Sequence, residues 1–338
     1  MTIDIKTMNV EPRRHTFGHV ARRLGSDKPA SRYEEATLDV QPTDNFHYKP
    51  LWEPEYWTYD TRKTALKMED WYKLRDPRQY YYATYNIARA NMNQSVERNF
   101  AFVDKRDMLD QMDAEWRAVV ADYLLPMRHV AWGANMNMTS ICDRGYGTAI
   151  TAPSIFAAGD HLGMAQILSR IGLMLDDSTG DSLEAAKTAW MGAPHWQGIR
   201  KAVEDSLVVT DWMEMYTAQT LAFDGILHRL VFDRFDAAGQ KHGAAGLSML
   251  TEFMIEWRAE HEKWVDSVLK VAAAESPENA AMLSGWAKTW IDRVAEAARP
   301  LAARVLGDVQ GKGGASDAAI TEIKADIAAR CAKIGLAV

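Results

Sequence analysis

Cysteine is scarce in this chain, and what little there is excludes two classes of protein. Of 338 residues only Cys142 and Cys331 are cysteines, far apart and without metal-like or redox-like spacing, so neither a disulfide framework nor a thiolate metal site is expected. Long apolar runs are missing as well. None reaches the ~18–20 residues that a membrane-spanning helix needs. The opening MTIDIKTMNVEPRR brings an acid early and no apolar stretch, so it is no secretory signal and a cytoplasmic protein is expected. A formal net charge of -7 leaves no basic excess for a nucleic-acid partner. Alternating Val/Ile/Thr runs bounded by Asn-Gly or Asp-Gly turns are nearly absent, which removes the β classes. The phosphate loop, the dinucleotide Gly-x-Gly-x-x-Gly and the nucleophile elbow Gly-x-Ser-x-Gly are all lacking.

What is abundant is large apolar surface, with 12 Trp and 17 Met among the residues. Its distribution divides the chain in three. Six of the 11 prolines fall in residues 1–76 or at Pro77. Proline removes a backbone donor and disfavours helix at the residue before it. The first segment, 1–76, is therefore expected to be a long extended arm. Yet it carries Phe46, Tyr48, Trp52 and Trp57, side chains a solvated linker would not keep, so it packs on the chain's own body or on a partner. From Asp76-Pro77 onward the apolar spacing turns helical. Helices are expected over 78–105, from Asp113 to 141, and over 153–175, 182–190, 195–201, 203–235, 247–274 and 278–304. A Gly-rich linker and a final amphipathic helix fill 307–338. Four or more long antiparallel helices over 77–306 predict an all-α, ferritin-like (ribonucleotide-reductase-like) large bundle.

Such bundles commonly carry two irons on a Glu from each of two helices and a Glu-x-x-His from each of the other two. Spacing of three residues puts carboxylate and imidazole on one inward face. The residues three before the nine histidines are Pro12, Thr16, Asp44, Pro126, Ala158, Gly192, Gly225, Gly239 and Arg258. None is glutamate, so no di-iron site and no metal is expected in this chain. Asp160-His161 face different sides of a helix. Asp224 and His228 share a face and could bind one ion, but read first as a hydrogen-bonded structural pair. Glu256, Glu260 and Lys263 read as a solvated helix stripe.

Several segments then carry a resemblance: Asn45-Phe46-His47-Tyr48-Lys49-Pro50-Leu51-Trp52, Asp76-Pro77-Arg78-Gln79-Tyr80-Tyr81-Tyr82, Leu125-Pro126-Met127-Arg128-His129 with Gly133-Ala134-Asn135-Met136-Asn137, Leu168 to Leu173, and Leu250-Thr251-Glu252-Phe253-Met254. Together they resemble the β (small oxygenase) subunit of bacterial multicomponent monooxygenases, closest to the phenol hydroxylase branch, over residues 1–306. The resemblance implies a ferritin-like relative of an iron-bearing α subunit that has lost its ligands. Pro126 and His129, and His261 and Trp264, mark the expected degenerate ligand region. It implies α and γ partner subunits in a dimer of αβγ units, a regulatory protein, and a reductase bearing FAD and a 2Fe-2S cluster that takes electrons from NADH. No catalytic or cofactor-binding residue is expected here, and the di-iron centre is expected in the α subunit. Phe46, Tyr48, Trp52 and Trp57 are the expected interface residues. A β subunit of a toluene or benzene monooxygenase, and a homomeric helical scaffold unrelated to oxygenases, are the alternatives.

Overall fold

The computed structural model describes residues 16–26, 28–42, 49–307 and 315–338, and every regular element among them is helical. In chain order the helices are α1 Gly18–Leu24, α2 Arg32–Thr37, α3 Tyr82–Lys105, α4 Ala114–Val119, α5 Met127–Arg144, α6 Thr148–Leu175, α7 Asp181–Gly192, α8 Pro194–Ser206, α9 Trp212–Thr217, α10 Asp236–Gly239, α11 Ala245–Glu275, α12 Pro277–Ala302 and α13 Ala315–Lys333. Two of the long rods are composite. A π-helical stretch, Val120–Leu124, leads from α4 toward α5, and two more, Ala218–Leu227 and Arg229–Phe235, bridge α9 to α10. The bundle consists of the α4–α5 rod against α6 and the α9–α10 rod against α11, with α3, α8 and α12 packed outside. One continuous apolar core runs through it and takes in Trp116, Trp196, Trp212, Trp257 and Trp264, all buried.

Local chemistry explains the helix ends. Asp113, the expected start, accepts the Trp116 N–H at 2.7 Å and so caps α4. The turn from α10 into α11 closes on Gly243, at φ +76°, where a Cβ would stand 2.1 Å from the Gln111 carbonyl oxygen. Only glycine fits there. The helix expected over 203–235 is broken. α8 stops at Ser206 and the chain restarts at Trp212, because Asp211 caps α9 by accepting the Met213 and Glu214 N–H groups at 2.9 and 3.2 Å. The other Asp211 oxygen accepts the Ala65 N–H at 2.6 Å and so ties the arm to the bundle. Asp211→Ala removes the acceptor of three backbone N–H donors at once. A loss of about 2 kcal/mol is expected, the upper end of a cap's worth, read by urea denaturation.

The arm is not wholly extended. Two short helices interrupt it, and α2 begins with a reciprocal capping box between Ser31 and Glu34, a sequence signature that the proline count obscured. Nor does helix start at residue 78. Asp76 caps a turn by accepting the Arg78 N–H, Gln79 turns left-handed at φ +55°, and α3 begins at Tyr82.

Much of the arm packs on its own body. Leu66, Trp71 and Leu74 enter the main core, while Val20, Leu38 and Tyr72 form a small cluster with Ala149 of α6. The Asn279 side chain bridges the Lys67 backbone, accepting its N–H at 3.2 Å and donating to its carbonyl at 2.7 Å. Leu51 and Trp52 stay outside, 94% and 75% exposed, with Trp57 at 43%. Phe46 and Tyr48 lie outside the described residues. At the other end α13 packs on α12 and on the π-helical stretches with Ile320, Ile323 and Ile327 buried, and Arg330 donates to Asp266 at 2.6 Å. The linker expected before it lies mostly outside the described residues.

Candidate functional site

Three imidazoles and one carboxylate meet at the centre of the bundle. His161 comes from α6, Asp224 from the π-helical stretch Ala218–Leu227, His228 from the junction that follows it, and His261 from α11. All four are buried, none more than 5% exposed. The His161 and His261 Nε2 atoms stand 3.5 and 3.7 Å from Asp224 Oδ2, and His228 Nε2 stands 3.9 Å from Oδ1. These separations are too long for hydrogen bonds. The Asp224–His228 pair expected to be hydrogen-bonded is therefore not. His161 Nε2, Asp224 Oδ2, His228 Nδ1 and both His261 nitrogens have no protein hydrogen-bond partner.

The surroundings hold the cluster rigid. The Trp257 indole stacks on His261 with centroids 4.2 Å apart and meets His161 edge-on at 4.9 Å. Gln219 Nε2 donates to Asp224 Oδ1 at 2.9 Å. The Gln219 carbonyl in turn accepts from Asn137 Nδ2, which also donates to Ser206 Oγ, both at 2.9 Å. Burial pushes His228 down to about 3 and His261 well below the ordinary imidazole value, so both are neutral. Burial pushes the Asp224 carboxyl up, but its interaction with His161 foremost outweighs this and holds the group at about 2.

Beside the cluster lies a separate ion-pair network. Asp160 accepts from Arg89 Nε and Nη2 at 2.7 and 2.8 Å, from the Tyr85 hydroxyl at 2.9 Å and from Trp257 Nε1 at 2.8 Å. With four donors, its oxygens are fully used. Glu260 accepts from Arg89 and from Arg78, so it closes this network and is not part of a solvated stripe.

The donor set does not fit two irons. His161 and His261 come from two different helices, but the residues three before them are Ala158 and Arg258, not the glutamates of a Glu-x-x-His pair. The α5 wall of the cluster consists of Met127, Val130, Ala131 and Ala134, which offer no carboxylate or imidazole for an iron pair. Within the cluster Asp224 is the one carboxylate, and its Oδ2 has no hydrogen-bond partner. Of the expected degenerate ligand region, only His261 belongs to the cluster itself, while Trp264 packs edge-on against His261 at 5.3 Å. His129 is half-buried against Trp190 at 5.5 Å, and buried Pro126 simply precedes α5, so that part of the expectation is corrected. Burial, with Arg128 and Lys187, lowers His129 to about 4. The arrangement missed in the sequence is the convergence of His161 and His261, from two different helices, on Asp224 and His228.

Comparison with known proteins places this arrangement. A profile of the methane/phenol/alkene hydroxylase family matches residues 52–276. The phenol 2-monooxygenase oxygenase component DmpL of Pseudomonas sp. (strain CF600) is 43% identical over 336 residues, covering 99% of this chain and 98% of that protein. The phenol 2-monooxygenase oxygenase component MhpL of Acinetobacter pittii (strain PHEA-2) is 47% identical over 306 residues, covering 90% and 92%. A chain of the xenon-pressurized phenol hydroxylase of Pseudomonas sp. OX1 superposes with a TM-score of 0.92 at 41% identity, covering 99% of both chains. A toluene 4-monooxygenase chain superposes with a TM-score of 0.75 at 21% identity, a likeness of fold alone. The all-α, ferritin-like architecture read from the helical spacing agrees with these matches, and the chain belongs to the methane/phenol/alkene hydroxylase family.

Proposed function

We propose that this chain is the non-catalytic β subunit of a phenol hydroxylase, supporting an iron-bearing α subunit that converts phenol or a methylphenol to a catechol with dioxygen and NADH. The observation that carries the proposal is a full-length likeness to oxygenase components in a chain whose own bundle centre has one free carboxylate where two irons need four. In this reading the di-iron centre resides in the α subunit. The FAD and 2Fe-2S cluster reside in the reductase, and a γ subunit and a regulatory protein complete the assembly. Among the described residues no helix is long and apolar enough to cross a membrane, and the acidic net charge suits protein rather than nucleic-acid partners.

The partner contact of the arm is assigned to the segment around Leu51, Trp52 and Trp57. Broad aromatic side chains left in solvent, beside a backbone already anchored, supply large contact area at small ordering cost. Glu53 fixes the segment by pairing with Arg144 of α5 and with Lys63 at 3.2 Å. Native mass spectrometry of the protein purified from its host, with metal analysis, tests the proposal. The expected result is a hetero-oligomer in which iron follows a larger chain. A homo-oligomer would refute it. The double variant Trp52→Ala/Trp57→Ala is expected to weaken assembly at least ~10-fold while far-UV circular dichroism stays unchanged. Loss of helix in that variant would return the segment to the chain's own core.

A further inference from the structure

We propose that His161, Asp224 and His228, with His261 as fourth donor, form a mononuclear site for a divalent transition metal of the Zn²⁺ class. One ligand atom from each of His161, Asp224 and His228 lies within 4.8 Å of the other two. The His261 Nε2 faces the same Asp224 oxygen as His161 does, at 3.7 Å. Around one ion with bonds of about 2.1 Å, tetrahedral donors stand roughly 3.4 Å apart. The His161, His261 and His228 separations from Asp224, 3.5, 3.7 and 3.9 Å, are therefore a small contraction away from coordination and too long for direct hydrogen bonds.

Burial makes the case independently. Asp224 Oδ2 and the Nε2 atoms of His161 and His261 that face it are polar atoms in a side-chain core without a protein hydrogen-bond partner, and so is His228 Nδ1. Leaving such groups unpaired costs about 1–3 kcal/mol each. One cation satisfies several of them together. The chemistry of the set narrows the ion: neutral imidazoles with a single carboxylate suit Zn²⁺ and its first-row neighbours, whereas Ca²⁺ and Mg²⁺ prefer all-oxygen sites. Gln219, itself held by Asn137, fixes Asp224 Oδ1 and leaves Oδ2 directed at the imidazoles, the kind of outer support that metal ligands carry.

Asp224 sits on a π-helical run and His228 directly follows it, a rare geometry that recurs at functional sites. A cavity of about 10 Å³ lies between His161, Asp224 and His228 and the apolar α5 wall, so the site admits one ion and no second. The ion would clip α6, the α9–α10 rod and α11 together at their midpoints. Its role is structural, and nothing in the proposal depends on which oxygenase the chain serves.

The test uses the full chain purified alone, so that no partner's iron is counted. After chelator treatment it is titrated with Zn²⁺ and, separately, with Co²⁺. The expected result is one equivalent of either ion, visible d–d absorption from Co²⁺ in a nitrogen-rich site, and a Tm that rises with Zn²⁺ concentration. His161→Gln and Asp224→Asn should each weaken binding by more than the ~10–100-fold typical of losing an outer hydrogen-bond partner, while His129→Gln leaves it unchanged. A folded wild-type chain that takes up neither ion would overturn the proposal, and that result needs no variant to fold. Equal binding by wild type and both ligand variants would also overturn it, since the ion would then lie elsewhere.

Discussion

Asp160→Ala is expected to lower the unfolding free energy by about 3–5 kcal/mol, the cost of stranding one member of a buried ion pair. Asp160 has a side chain only 4% exposed and receives both arms of the Arg89 guanidinium. Its remaining lone pairs accept from Tyr85 and from Trp257 Nε1. Alanine leaves the Trp257 donor unpaired in the core and Arg89 with Glu260 as its carboxylate partner, through contacts of 3.0 and 2.9 Å. That residual pairing holds the expected cost within this range. Asp160→Asn should lose nearly as much, because its amide presents a donor to groups that are all donors. The double variant Asp160→Leu/Arg89→Met should recover most of the loss, since two apolar groups of matching bulk replace a desolvated pair. Urea denaturation of the three variants checks this, and a loss below 1 kcal/mol for Asp160→Ala would show that the network contributes little. The consequence reaches the centre of the bundle, because Trp257 is the wall against which His161 and His261 pack.

Acid should unfold the protein earlier than its carboxylates alone would require. The His228 imidazole stays unprotonated in the fold down to about 3, because burial penalises its charged form, whereas an unfolded histidine takes up its proton near 6.5. A base whose folded value is depressed contributes stability fully above the unfolded value, and loses it as pH falls. Between those two values the unfolded chain binds the extra proton. By pH 4 the loss from His228 alone is on the order of 3 kcal/mol, at about 1.4 kcal/mol per pH unit. His261 acts in the same sense, and half-buried His129, lowered to about 4, adds a smaller share. Asp224, an acid held at about 2, loses its contribution only below the ordinary carboxylate value near 3.9. The steep part of the curve should therefore lie between pH 6.5 and 4. Denaturation midpoints at pH 7.5, 5.5 and 4.5 read it directly. In His228→Gln the slope over that window should flatten, and an unchanged slope would assign the acid sensitivity to other groups.

Local chemistry was legible in the chain before any fold was known. Apolar residues recurring at helical spacing specify the long rods. Asp113 announces α4 because an aspartate before a periodic run caps it, and the proline-laden first 76 residues announce a change of regime. The missing glutamate before every histidine is the sequence ground for expecting no pair of irons, since three-residue spacing on one helix is a local matter. The same local logic, read further, would have found the Ser31–Glu34 capping box and the Asp211 cap.

Convergence between helices is a different kind of information. His161, Asp224, His228 and His261 span 100 residues of chain, and they meet because of how α6, α11 and the α9–α10 rod are rotated and offset against one another. The π-helical stretch Ala218–Leu227 resets that rotation, and no residue pattern along it declares this. Treated as neighbours in sequence, Asp160-His161 face apart and Asp224-His228 look like a pair. Only packing turns one face of each helix toward a common centre and gives Asp160 to Arg89. The arm shows the same division. Its aromatic content declares that it must pack on something, but the tertiary structure decides that Trp71 enters this chain's core while Trp52 stays in water. Composition determines how much apolar surface must be buried, and the relative placement of the rods determines which of it is left for another molecule.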